Sequence, residues 1–155
     1  MLQYLLRHYR NCWFWCLCRL ALSIIFLAAS IPKFFNVALF KVTILNYYSF
    51  IPETIALVAA IIMPWLEFGL AMAMLLDEKA PHWPALLLTI LSMLFLLQSL
   101  VFYNQLMPYG CGCFGFSQEQ TLGIGGVIRN IIITATASCA YRGCRTGKAR
   151  LRPPR

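Results

Sequence analysis

Apolar residues gather into four long runs separated by short polar or aromatic links. The runs extend from about Cys12 to Ala29, Ile55 to Leu76, Trp83 to Met107 and Leu122 to Ala140. Each is close to the ~20 residues that a helix needs to cross a bilayer. No stretch alternates apolar and polar residues over ten positions, so the pattern excludes a membrane β-barrel. The expected fold is all-α, a four-helix transmembrane bundle over residues 12–140. A basic N-terminus (1–11) and a basic tail (141–155) flank it. Small residues Ala28, Ala29 and Ser30 follow the first run in the manner of a signal-peptide cleavage site, but Arg19 inside the run argues against one.

The link from Ile31 to Thr54 carries Phe34, Phe35, Phe40, Tyr47, Tyr48 and Phe50. This aromatic content predicts a short helix or re-entrant piece at the membrane interface between the first two spans. Pro32 and Pro52 punctuate its ends, and Pro64 inside the second run predicts a kink.

Composition agrees with the pattern. Of 155 residues 61% are hydrophobic and 12% charged, against about 25% charged in soluble domains. A chain this short cannot bury so much apolar surface within itself. The net charge of +8 would suggest nucleic acid in a soluble protein. Here the basic residues collect at the two ends, from Arg7 and Arg10 to Arg142, Arg145 and Lys148, which reads as a cytoplasmic anchor on anionic lipid. Both termini are then cytoplasmic, in a bacterial inner membrane. The links 31–54 and 108–121 face the periplasm, and no nucleic acid is expected as a partner.

Two features carry candidate chemistry. The first is Cys111-Gly112-Cys113, two thiols one residue apart on the oxidising face. They can close a small strained ring, and strained, exposed disulfides are the exchanging kind. The plain alternative is a pair of inert cysteines in a glycine turn. The second feature is the set of intramembrane charges. Arg19 lies 14 residues before Lys33, and Glu67 lies 14 residues after Glu53 on the next, antiparallel span. At ~1.5 Å per residue both gaps are roughly 21 Å. This spacing predicts a Lys33–Glu53 pair at the outer level and an Arg19–Glu67 pair at an inner one, with Arg129 able to share Glu67. Such pairs either lock the bundle or serve the chemistry.

Cys12, Cys16, Cys18, Cys139 and Cys144 cluster toward the cytoplasmic end, as small buried hydrophobes or as a relay. His8 and His82 suggest no specific role, and no metal-binding motif is present. Gly123, Gly125 and Gly126 open the fourth run, where close helix packing accounts for them.

Several of these stretches resemble one family. Arg19, Phe26 and Ser30-Ile31-Pro32-Lys33-Phe34 look like the opening of MauE/DoxX proteins. Ile51-Pro52-Glu53 and Met63-Pro64-Trp65-Leu66-Glu67 are similar to that family's proline–glutamate signature. Cys111-Gly112-Cys113-Phe114-Gly115 resembles the cysteine motif of its MauE branch, and Arg129-Asn130 also fits. The resemblance covers roughly residues 13–140. It implies a four-helix membrane protein associated with redox chemistry, an accessory of methylamine dehydrogenase maturation. DoxX-type relatives imply a link to quinone.

On this reading Cys111 and Cys113 exchange disulfides with a periplasmic thioredoxin-like or substrate protein. Lys33 lowers a thiol pKa, Glu53 holds Lys33 or moves protons, and a membrane quinone is the other electron partner. No other cofactor and no metal are expected. Two rivals remain. One is a maturation scaffold without turnover. The other is a carrier of soft metal, Cu(I) or Hg(II), using the cysteines.

Overall fold

A computed structural model describes residues 2–76, 82–107, 120–121 and 123–150. Its elements are α1 (Leu2–Phe35), α2 (Val37–Tyr47), α3 (Glu53–Leu76), α4 (His82–Val101), the two-residue strands β1 (Leu106–Met107) and β2 (Gln120–Thr121), and α5 (Ile124–Arg150). Four segments are long and apolar enough to cross a membrane: Trp13–Phe35, Glu53–Leu76, His82–Val101 and Ile124–Gly143. Only 28–33% of each is buried within the chain itself. The remainder is an outward apolar surface, including Trp13, Ile24, Ile62, Trp65, Leu94 and Ile132, that lipid must solvate.

α1, α3, α4 and α5 close a ring in which α3 packs on α1 and α4, and α5 packs on α4 and α1. Neighbours run antiparallel. Asn130 Nδ2 of α5 donates to the Phe95 carbonyl of α4 at 3.3 Å, and Thr134 Oγ1 donates to that of Ser92 at 3.1 Å. On α3 the buried positions are Ala56, Ala60, Pro64, Glu67, Ala71 and Met74, a helical stripe made mostly of small residues. Small side chains let the backbones approach closely, which is how helices associate where lipid offers no hydrophobic drive. The core between the helices joins Leu22, Phe26, Leu88, Leu91 and Ile133.

Four boundaries differ from the apolar pattern. The first span continues past Ala29 to Phe35, because Pro32 falls in the last turn of α1. The helix breaks four residues later, at Asn36, whose φ of −134° is not helical. The third span stops at Val101, well before Met107, and the chain turns at Asn104 in a left-handed conformation (φ 64°) that asparagine tolerates. The helices also pass through the expected edges of the membrane domain, α1 starting at Leu2 and α5 ending at Arg150.

The aromatic link is a separate short helix, α2, with Phe40, Thr43 and Tyr47 buried. After α4, β1 and β2 pair antiparallel, Leu106 opposite Thr121 and Met107 opposite Gln120. Met107 and Gln120 therefore stand side by side at the end of the bundle where α1 finishes and α3 begins. This is termed the Lys33 end, and its opposite the Arg19 end.

A candidate site at the Lys33 end

The last turn of α1 places Lys33 against the middle of α3. Its ammonium donates to both carboxylate oxygens of Glu67, at 2.6 and 2.7 Å. Lys33 is 1% exposed and Glu67 0%. Two opposite charges at this depth are tolerable only together, since either alone would be stranded in a low-dielectric interior. The rings of Phe40 and Phe95 flank the ammonium, with centroids 5.2 and 5.3 Å away, and add cation–π attraction.

This arrangement overturns the expected pairings. Lys33 does not pair with Glu53. Glu53 stands at the start of α3, exposed, and takes its hydrogen bond from Lys41 of α2 at 2.7 Å. Nor does Arg19 pair with Glu67. Its Nε donates to the Met74 carbonyl at 2.6 Å and its Nη2 to that of Leu75 at 3.2 Å. These are carbonyls of the last described turn of α3, where a cation is favoured, so Arg19 caps that helix. Arg129 is half-buried on α5, and both Glu67 oxygens are bonded by Lys33.

The error was one of register. α3 begins farther out than Lys33 by the 14 residues separating Glu53 from Glu67. That overhang is packed by α2. The contribution of Lys41, twelve residues before Glu53, was missed. Its signal was a second cation, after Lys33, in the aromatic link.

Below the ladder, α2, α3 and α4 enclose a cavity of about 510 Å³. Lys33 forms part of its wall with Phe40, Tyr47, Tyr48, Phe95, Gln98 and Phe102, and the rest is aliphatic apart from Thr43, Phe50 and Met63. Tyr47 and Phe102 meet edge to face at 4.8 Å, and Tyr48 joins them at 6.0 Å from Phe102. This space was not foreseen from the sequence, because residues from separate elements build it.

Cys111 and Cys113 lie outside the described residues, as do the side chains of Cys12 and Cys144. Of the other thiols, Cys16 is exposed on α1, while Cys18 and Cys139 are half-buried and free. Among the described residues no three metal-binding side chains come together.

Comparison with known proteins supplies one relation. The family described as methylamine utilisation protein MauE matches residues 11–142. No curated protein and no solved structure matches the chain.

Proposed function

The chain belongs to the MauE family of methylamine utilisation proteins, and on that premise we propose that it is a membrane thiol–disulfide exchange protein serving maturation of a periplasmic enzyme. Its reacting groups are Cys111 and Cys113. One thiolate attacks a disulfide of a partner protein and forms a mixed disulfide, releasing the partner's other sulfur as a thiolate. The second cysteine then attacks its neighbour's sulfur and frees the partner. The disulfide passes to Cys111–Cys113 while two electrons and two protons pass to the partner, and the exchange also runs in reverse.

The observation that carries this reading is the β1–β2 ladder. It ties both ends of the cysteine segment to the Lys33 end of the bundle. A thiol pair in a segment whose two flanks are held together in this way suits exchange with a large partner arriving from water. The Lys33 ammonium is already neutralised by Glu67, so the field it projects is that of a compact dipole. We therefore assign Lys33 to the membrane cavity rather than to lowering a thiol pKa, and Glu53 to the surface pair with Lys41.

The test is trapping. Cys111→Ser and Cys113→Ser are expressed singly in cells and the proteins are separated without reductant. The variant that keeps the attacking thiol accumulates a mixed disulfide with its partner, and the other does not. If neither traps a partner and the double variant still supports maturation, the cysteines merely hold a loop and the exchange reading fails.

A further inference from the structure

A second, smaller cavity lies where α1, α4 and α5 meet. Ile25 and Ala29 of α1, Ser92 and Phe95 of α4, and Asn130 and Ile133 of α5 line it. Ala29 is one helical turn before Lys33, so the cavity sits one turn deeper in the bundle than the ion pair. Its volume is about 10 Å³, at the lower edge of the ~10–15 Å³ that a single water needs. No larger solute fits.

The wall is not uniformly apolar. Asn130 is 4% exposed and Ser92 1%. The Asn130 amide nitrogen donates to the Phe95 carbonyl at 3.3 Å, but its oxygen, Oδ1, accepts no hydrogen bond from the described residues. Ser92 Oγ spends its one proton on the Thr89 carbonyl at 2.8 Å, which leaves its lone pairs open. The two groups stand on facing turns. Asn130 bonds to Phe95 and, one turn along, Thr134 Oγ1 bonds to the Ser92 carbonyl at 3.1 Å. The cavity therefore gathers two open acceptors in an interior where an unsatisfied polar atom is costly. Water supplies two donors from one small molecule. A metal cation would need about six oxygen ligands, and two neutral ones do not offset its charge in an apolar interior. Cavities that stay dry are lined by apolar groups alone.

We propose that one ordered water occupies this cavity, donating one hydrogen bond to Asn130 Oδ1 and the other to Ser92 Oγ. It is a third polar link between α4 and α5, beside the two direct ones. It stands behind the turn of α4 that carries Phe95, whose ring covers the Lys33 ammonium at 5.3 Å. The water thus belongs to the support of the buried ion pair. The inference rests on the packing of the bundle and is independent of the thiol-exchange reading.

The experiment uses the full-length, isotope-labelled protein in lipid bilayers, with transfer of magnetisation from water to protein followed by NMR. The Asn130 side-chain amide and the methyls of Ile25 and Ile133 should receive water magnetisation. The methyls of Leu22 and Leu88, fully buried in the apolar core, should receive none. Transfer no greater at Ile25 and Ile133 than at Leu22 and Leu88 would overturn the proposal in the parent protein alone. Two variants then test the site. Ala29→Val fills the cavity and keeps both polar groups, and Asn130→Leu removes the acceptor in favour of an apolar side chain of similar size. Whichever folds should lose the transfer to Ile25 and Ile133. Transfer that survives in the filled variant would come from exchanging hydroxyls of Ser92 and Thr134 rather than from a bound water, and would also overturn it.

Discussion

Among the described residues Glu67 has one hydrogen-bonding partner, the buried Lys33. Glu67→Ala leaves the Lys33 ammonium buried without its carboxylate. Breaking one side of such a pair costs about 3–5 kcal/mol. The expected outcome is a large drop in unfolding temperature in detergent. Adding Lys33→Met, which replaces the amine by an apolar side chain of similar length, should recover most of it. Adding Arg19→Met should recover nothing, because Arg19 binds the Met74 and Leu75 carbonyls about two turns away. The reverse pattern of rescue would restore the Arg19–Glu67 pair. The sequence left this undecided for a geometric reason. Arg19 and Lys33 are 14 residues apart, as are Glu53 and Glu67, so sliding one helix by that amount exchanges one plausible pairing for another. Depth alone could not choose. Lys41, waiting on α2, made the slide acceptable by taking Glu53.

At the scale of elements, the four spans and the extra aromatic helix were legible because length and apolar continuity decide them. Their ends were less so, since proline in a last turn and an asparagine turn leave little trace in hydropathy. Two contacts between elements make predictions. Arg19→Met removes the cap on α3, which should cost about 1–3 kcal/mol and speed hydrogen exchange at its last turn. The second concerns the approach of α5 to α1. A Cβ on Gly143 would lie 2.7 Å from Cβ, Cγ and Cδ2 of Trp15. These atoms are at the root of the indole and cannot swing aside freely. Gly143→Ala should therefore destabilise the Arg19 end by about 1–3 kcal/mol, the usual cost of overpacking. Trp15→Ala in the same chain should relieve the clash, and thermal unfolding of the single and double variants measures both.

For the whole molecule, the ring of α1, α3, α4 and α5 puts the β1–β2 pair at one end and the last turns of α5 at the other. By the positive-inside rule, the basic tails predict that their end faces the cytoplasm. A membrane-impermeant maleimide should label Cys111 or Cys113 in intact, reduced spheroplasts, and labelling only after lysis would invert the topology. The cavity escaped the sequence because its walls come from residues 33 to 102, brought together only by the closing of the ring.

The Lys33–Glu67 pair also sets an order on biogenesis. The ribosome delivers Lys33 thirty-four residues before Glu67, so α1 meets the bilayer while its counter-ion does not yet exist. Lys33 stands in the last turn of α1, where a flexible four-carbon stem can hold its ammonium up at the water boundary. α3 has no such refuge, for Glu67 falls in its middle with a short stem. The charged carboxylate enters the hydrocarbon at far less cost beside a cation already in place. The pair thus predicts that Lys33→Met lowers the membrane insertion of α3, read by glycosylation or protease mapping, and that adding Glu67→Gln restores it.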